Sequence, residues 1–221
     1  MKLLINALTK FIFGFLLVAT LVFLPAGTLT YLDGWNLIII LFVPILIMGI
    51  VLLIKAPQLL KKRLDGKEKE NTQKSVVVFS ALIFLVAFII AGLDFRFGWS
   101  AVPFVVKVIA AVLFLASYYL YAEVMRENAY LSRTIEVQEN QAVIDSGLYG
   151  IVRHPMYAAT ILMFLNIPLI LGSWIAFVIF FTYPIIIAIR IKNEEKVLTE
   201  KLSGYKKYKQ KVKYKLLPFI W

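Results

Sequence analysis

Arg153, the single histidine His154 and Pro155 stand in the stretch "GLYGIVRHPMY", directly before an apolar run. Arg190, Glu194 and Glu195 stand in "RIKNEE", directly after the next one. Proline suits the first turn of a helix and pushes the residue before it toward an extended backbone, so His154 is expected just outside a helix that Pro155 starts. The N–H groups of that first turn, with the positive end of the helix dipole, offer a resting place for a carboxylate or another anion. Gly147 and Gly150 allow the preceding backbone a tight turn or a close approach to a ligand. On the second segment Arg190 and Glu194 lie one helical turn apart and share a face, whereas Glu195 is rotated from Arg190 by about 140°. The two acids are therefore expected to do different jobs, one paired within the fold and one facing a ligand, and spacing leaves open which is which. The planar guanidinium of Arg190 can hold a carboxylate in two parallel hydrogen bonds. The plainer alternative is that Arg153 and His154 mark a lipid headgroup level and that the two glutamates end a solvated helix.

The elements that position these residues are membrane helices. The 221-residue chain is 61% hydrophobic, and its mean hydropathy of +0.84 is far above that of soluble domains. Crossing the hydrocarbon takes roughly 20 apolar residues, and runs at 11–30, 35–54, 76–93 and 103–122 meet or nearly meet that length. Two shorter runs, 156–171 and 174–189, form a hairpin through "GSW". At about 16 apolar residues each they give about 24 Å of helix, less than the bilayer core, so polar groups must sit deep and face a protein-lined cavity. The expectation is all-α: a polytopic bundle of six transmembrane helices, with four spans in 1–122 and a second region, 123–221, that carries the hairpin and the basic tail. The first span can also be read as a signal peptide, although its apolar run exceeds the usual length of one.

The chain has no cysteine, which excludes disulfides and thiolate metal sites, and one histidine among scattered carboxylates argues against a zinc site. Its net charge of +11 is concentrated beside apolar runs, a distribution that fits a bilayer better than nucleic acid. Of the 24 Lys and Arg residues, all but Arg96 and Lys107 fall on the side shared by the termini, the 55–74 loop and the 123–154 loop. The positive-inside rule makes that side cytoplasmic. The tail, 203–221, alternates lysines with Tyr205, Tyr208 and Tyr214. Such a tail adheres to anionic membrane lipid, at about 1 kcal/mol per basic residue, and it is also placed to act as a lid.

"GLYGIVRHPMY", followed after the hairpin by "RIKNEE" and then by "GYKKYKQKVKYKLLPFIW", resembles the isoprenylcysteine carboxyl methyltransferase and phospholipid methyltransferase superfamily over residues 123–221. Leu148 and Gly150 stand where the commoner form of the motif has proline and arginine. The resemblance implies S-adenosylmethionine as cofactor, bound by Gly147, Tyr149, His154, Pro155, Tyr157, Glu194 and Glu195. It implies catalytic roles for Arg190, Glu195 and Arg153, with Arg190 orienting an acceptor carboxylate. The expected acceptor is a lipidic or prenylated small molecule. Transfer from a sulfonium to a carboxylate annihilates charge and is favoured in a dry pocket that aligns both partners. An amine acceptor must also lose a proton, for which Glu195 or His154 is at hand. No G-x-G-x-x-G follows a strand, as expected of a site unlike the Rossmann type. Two other readings compete: a nicotinamide-dependent membrane reductase similar to sterol reductases, which end in a comparable tail, and a non-catalytic membrane protein in which the motif only shapes a helix end.

The topology is tested by reporter fusions at residue 65 and after residue 221, which should both report the cytoplasm. Opposite sides would overturn the six-span assignment.

Overall fold

The computed structural model describes residues 1–65, 71–132, 134–135 and 137–221, apart from the side chains of Asn71 and Thr72. Part of the expected basic loop, residues 66–70, and Arg133 and Glu136 of the second loop lie outside the described residues. Within them the chain is helical and contains no strand. The helices are α1 (Lys2–Ala26), α2 (Leu32–Lys55), α3 (Pro57–Leu64), α4 (Asn71–Phe97) and α5 (Phe104–Glu127), then a 3₁₀ turn at Gly147–Gly150. They continue with α6 (Pro155–Ile170), α7 (Trp174–Phe180), α8 (Tyr183–Lys201) and α9 (Tyr205–Lys211).

Among the described residues five helical segments are long and apolar enough to cross a membrane: α1, α2, α4, α5 and the α7–α8 unit spanning Trp174–Lys201. The apolar α6 has 16 residues and is the short member that the sequence leads one to expect. Outward faces carry large apolar side chains such as Phe13, Leu16, Ile47, Phe79 and Val112, each more than half exposed, as a bilayer solvent requires.

Helix ends differ from the hydropathy runs for local reasons. α1 begins nine residues before its run and stops at Gly27, whose φ of 70° caps the helix in the left-handed conformation. The 174–189 run is interrupted at Phe181–Thr182, and beyond it α8 continues through Glu194 and Glu195 to Lys201. The expected polar loop at 55–74 contains α3. Pro57 opens it, Lys61, Lys62 and Arg63 fill its last turn, and Leu59 and Leu60 are buried. α5 runs across the 122/123 boundary, so the two regions expected from the sequence share a helix.

They also share a core. Val22 and Phe23 of α1, Ala87 and Ala91 of α4, Phe114 of α5, Ile167 of α6 and Phe180 of α7 bury one another. α4 lies in the middle, against α1 on one side and α7 and α8 on the other, while α5 packs along α6. At one end of the bundle the three short turns meet. Asp94 accepts from Ser100 N–H at 2.6 Å and from the Ser100 and Ser173 hydroxyls at 2.5 Å, Lys107 pairs with Asp33 at 2.7 Å, and the Tyr31 hydroxyl donates to Leu171 O. This knot fixes the hairpin base to α2 and α4. The loops and the tail gather at the other end, where Lys62 reaches Gln138 and Arg63 reaches Tyr121.

Close packing of α1 on α4 depends on Gly92, where a Cβ would lie 2.6 Å from Val22 O and 3.0 Å from Ala26 N. Gly92→Ala is expected to lower stability in detergent by about 1–3 kcal/mol, since backbone is in the way. Gly49→Ala, with no neighbour within 4 Å, should be neutral or slightly stabilising. Equal thermal shifts for the two variants would show that the α1–α4 contact yields easily.

Candidate functional site

The N-terminus of α6 is held by a buried cluster of charge. Arg153, His154 and Glu195 are 7%, 4% and 6% exposed. Arg153 Nε donates to Glu195 Oε1 at 2.6 Å, and His154 Nε2 lies 3.3 Å from the same oxygen. Arg153 Nη1 donates to the carbonyls of Val212 and Lys213 at 2.7 and 2.8 Å. The backbone N–H groups of Arg153 and His154 donate to Tyr214 O and Lys215 O, both at 2.9 Å. A buried ionic group persists only when paired and hydrogen-bonded, and here both ions are. Three parts of the chain separated in sequence, 153–154, 195 and 212–215, are thereby joined. The acid that pairs within the fold is Glu195.

Glu194 is the acid that faces the cavity. The Tyr157 hydroxyl donates to Glu194 Oε2 at 2.5 Å and accepts from Arg190 Nε at 2.8 Å, while the His154 ring stacks on Tyr157 at 5.7 Å. Arg190 and Glu194 share a face, and a tyrosine one turn into α6 joins them across the hairpin. Pro155 begins α6 as its residue type suggests. The helix N-terminus has less to offer an anion than the sequence leads one to expect: Pro155 has no N–H, and those of Tyr157 and Ala158 return to His154 O.

A cavity with an empty volume of about 830 Å³, counting its mouth, opens beside these groups. Its lining combines the charged and polar Arg153, His154, Tyr157, Arg190 and Glu194 with the aromatic and aliphatic Tyr149, Val143, Leu198, Leu202, Tyr205 and Tyr208. Tyr149 is fixed by Asn128 Nδ2 donating to its hydroxyl at 2.9 Å and by Tyr208 donating to its carbonyl at 2.7 Å. Burial pushes the Tyr149 phenol up to about 12, so it stays protonated. A second, more apolar cavity lies between α4, α5, α6 and α8 and includes Val76, Ser80, Phe84, Tyr121, Phe164 and Ile187. The two share Thr134, Met156, Tyr157 and Arg190.

Of the residues singled out in the sequence, Tyr149, Arg153, His154, Tyr157, Arg190 and Glu194 come together on the first cavity. Gly147, Pro155 and Glu195 are outside its lining. Gly147, at φ 53°, is needed for another reason: a Cβ there would overlap the Glu127 carboxylate, which accepts Leu148 N–H at 2.9 Å and pins the 3₁₀ turn. Tyr205 and Tyr208 belong to the tail expected to act as a lid, and they line the cavity together with Leu198 and Leu202, which nothing in the sequence singles out. The three-residue spacing of the two tyrosines, which puts them on one helix face, was the available signal.

The Arg153 contacts make the tail part of the site. Arg153→Lys keeps a charge for Glu195 and loses the fork that also grips Val212 O and Lys213 O. Chymotryptic cleavage after Tyr208 and Tyr214 should speed up by about tenfold or more, because local opening costs less. An unchanged rate would mean that buried Tyr205, Tyr208, Val212 and Leu216 alone hold the tail.

Comparison with known proteins follows the same residues. The family model for phospholipid methyltransferases matches residues 105–206. It begins within α5, upstream of the region where motifs are legible, and ends inside α9. No curated protein matches the chain. Residues 105–206, which hold the hairpin, the ionic cluster and most of the cavity wall, are thus the part of the chain that is similar to phospholipid methyltransferases.

Proposed function

We propose that the chain is an S-adenosylmethionine-dependent methyltransferase that acts on a lipidic acceptor at the cytoplasmic side of the membrane. The observation that carries this reading is the junction of two unlike cavities at Tyr157 and Arg190: one charged and aromatic, open toward the loops and tail, the other apolar and set among the helices. A polar methyl donor and a membrane-borne acceptor need two such chambers meeting at one point.

The donor set of the first cavity fits S-adenosylmethionine. Glu194 is the carboxylate for its ammonium group, Arg153 and His154 offer N–H donors to its carboxylate, and the faces of Tyr149 and Tyr157 suit a sulfonium cation. When bound, the cofactor supplies an electrophilic methyl group. The protein's part is positional and electrostatic. The Tyr157 hydroxyl, held between Arg190 and Glu194, sets the distance between the two charged groups. Arg190, on the wall common to both cavities, orients an acceptor carboxylate. Such an acceptor is already ionised and needs no base. An amine acceptor would pass its proton to Glu194, the acid that lines the cavity, rather than to Glu195, which is engaged by Arg153 and His154. Burial by Phe84, Phe164 and Tyr183 below Tyr157 excludes water and strengthens these interactions.

The reading predicts that the detergent-solubilised protein binds S-adenosylhomocysteine in isothermal titration and does not bind NADPH. The reverse result would favour the reductase. With an acceptor found by screening isoprenoid thioether carboxylates, fatty acids and amino-lipids against radiolabelled cofactor, Arg190→Lys should bind S-adenosylhomocysteine normally. Its turnover should fall tenfold or more, at least about 1.4 kcal/mol of transition-state stabilisation. Undiminished turnover would remove Arg190 from the acceptor site.

A further inference from the structure

A groove with an empty volume of about 1380 Å³, counting its mouth, lies between the loop-side ends of α2 and α5, beside α3. Among the described residues its lining shares only Tyr130 with the first cavity and none with the second, so the proposed reaction does not account for it. On α2 the lining side chains Met48, Leu52 and Lys55 follow one helix face, and on α5 Ala122, Met125, Arg126 and Ala129 do the same. Both helices run toward the loops, so order along the chain is also order in depth. Met48, Leu52, Ala122 and Met125 make an apolar floor; Lys55 and Arg126 stand at the mouth, where Lys62 of α3 joins them. From Met48 to Lys55 is two turns of α2, about 10 Å.

The mouth is short of negative charge. Lys55 is exposed and Lys62 half-buried, and neither has a carboxylate partner among the described residues; Lys62 donates instead to the neutral amide of Gln138. Arg126 pairs with Glu123 at 2.7 Å and stays largely exposed, while Glu123 is outside the lining. No carboxylate lines the groove among the described residues. An apolar floor at this depth is a seat for an acyl chain. The headgroup above it is selected by charge: a basic pocket between membrane helices favours an anionic lipid, whereas a zwitterionic headgroup brings its own cation against the same lysines.

We propose that this groove binds one anionic phospholipid, its phosphate held by Lys55 and Lys62 with Arg126 at the rim, and an acyl chain laid along Met48, Leu52, Ala122 and Met125. The site stands independently of the methyl-transfer reading. It is tied to the loop that follows α5, because Lys62 holds Gln138 and the Gln138 amide donates to Tyr130 O at 2.7 Å.

The test is native mass spectrometry of the full chain in a neutral detergent, titrated with phosphatidylglycerol and with phosphatidylcholine of the same chains. Phosphatidylglycerol should bind about tenfold more tightly, and Lys55→Gln with Lys62→Gln should remove most of that preference. Ala122→Phe keeps every charge and fills the floor, and it should weaken phosphatidylglycerol binding by a similar factor. Lys206→Gln with Lys207→Gln, an exposed basic pair on α9 outside the groove, should leave affinity within about twofold. Inorganic phosphate should not compete. Equal affinity for the two lipids would overturn the proposal. So would a loss in the α9 variant as large as in the groove variant, which marks general attraction to a basic surface, or full binding by Ala122→Phe, which leaves the floor without a role. Competition by inorganic phosphate would overturn it too, since the headgroup alone would then be the ligand. If the double variant melts earlier than wild type without lipid, Lys55→Gln alone decides: it removes one exposed charge and should still cost at least about threefold in phosphatidylglycerol affinity.

Discussion

Glu195 sits near the end of a helix that leaves the membrane, almost wholly buried, and must keep a negative charge there. It does so because Arg153 comes from the start of another helix to meet it and His154 shares the same oxygen. Most of the site's geometry follows from this pairing. Removing either partner would strand the other as an uncompensated buried ion, at a cost of several kcal/mol, so α6 and α8 have to keep this register. With that register fixed, Tyr157 lies against Arg190 and Glu194, and the guanidinium has donors left for the carbonyls of the tail. The tail completes the cavity wall through Tyr205 and Tyr208, so the cavity, the hairpin and the C-terminal segment are consequences of one interaction.

At the opposite end of the hairpin a second polar knot does a comparable job by other means. Asp94, also buried, is satisfied by three hydrogen bonds from Ser100 and Ser173. The hairpin is thus tied at both ends, to α4 at its turn and to the tail at its open end. Short spans leave polar groups at depth, and each group has to find a partner inside the protein because lipid supplies none. The apolar length between the knots holds the aromatic cluster of Phe84, Phe164, Phe180 and Tyr183, with ring centroids 4.6 to 6.0 Å apart, which separates the second cavity from the core.

The helices that precede the matched residues 105–206 also matter to the site. α4 lines the second cavity with Val76, Ser80 and Phe84, and α3 brings Arg63 to its edge, where it reaches Tyr121 and Met156. A segment read from sequence as hydropathy and a basic loop therefore shapes the space proposed for the acceptor.

Hydropathy and residue type alone determined much of this protein: a helical membrane bundle, a final hairpin whose first helix is short, the helix start at Pro155 and the two charged segments that would face each other. These follow from the length of apolar runs, the stereochemistry of proline and the cost of a charge at depth, all local quantities. The 3.6-residue period also separated Glu194 from Glu195. Which acid was to be buried, however, was decided in three dimensions, because it depends on where Arg153 and the tail carbonyls arrive from distant parts of the chain. The same holds for Gly147, whose missing side chain makes room for Glu127, and for Tyr205 and Tyr208, which sequence shows as members of a lysine-rich tail. Their place on the cavity wall exists only after Val212 and Leu216 are buried and the Arg153 guanidinium has taken hold of the Val212 and Lys213 carbonyls.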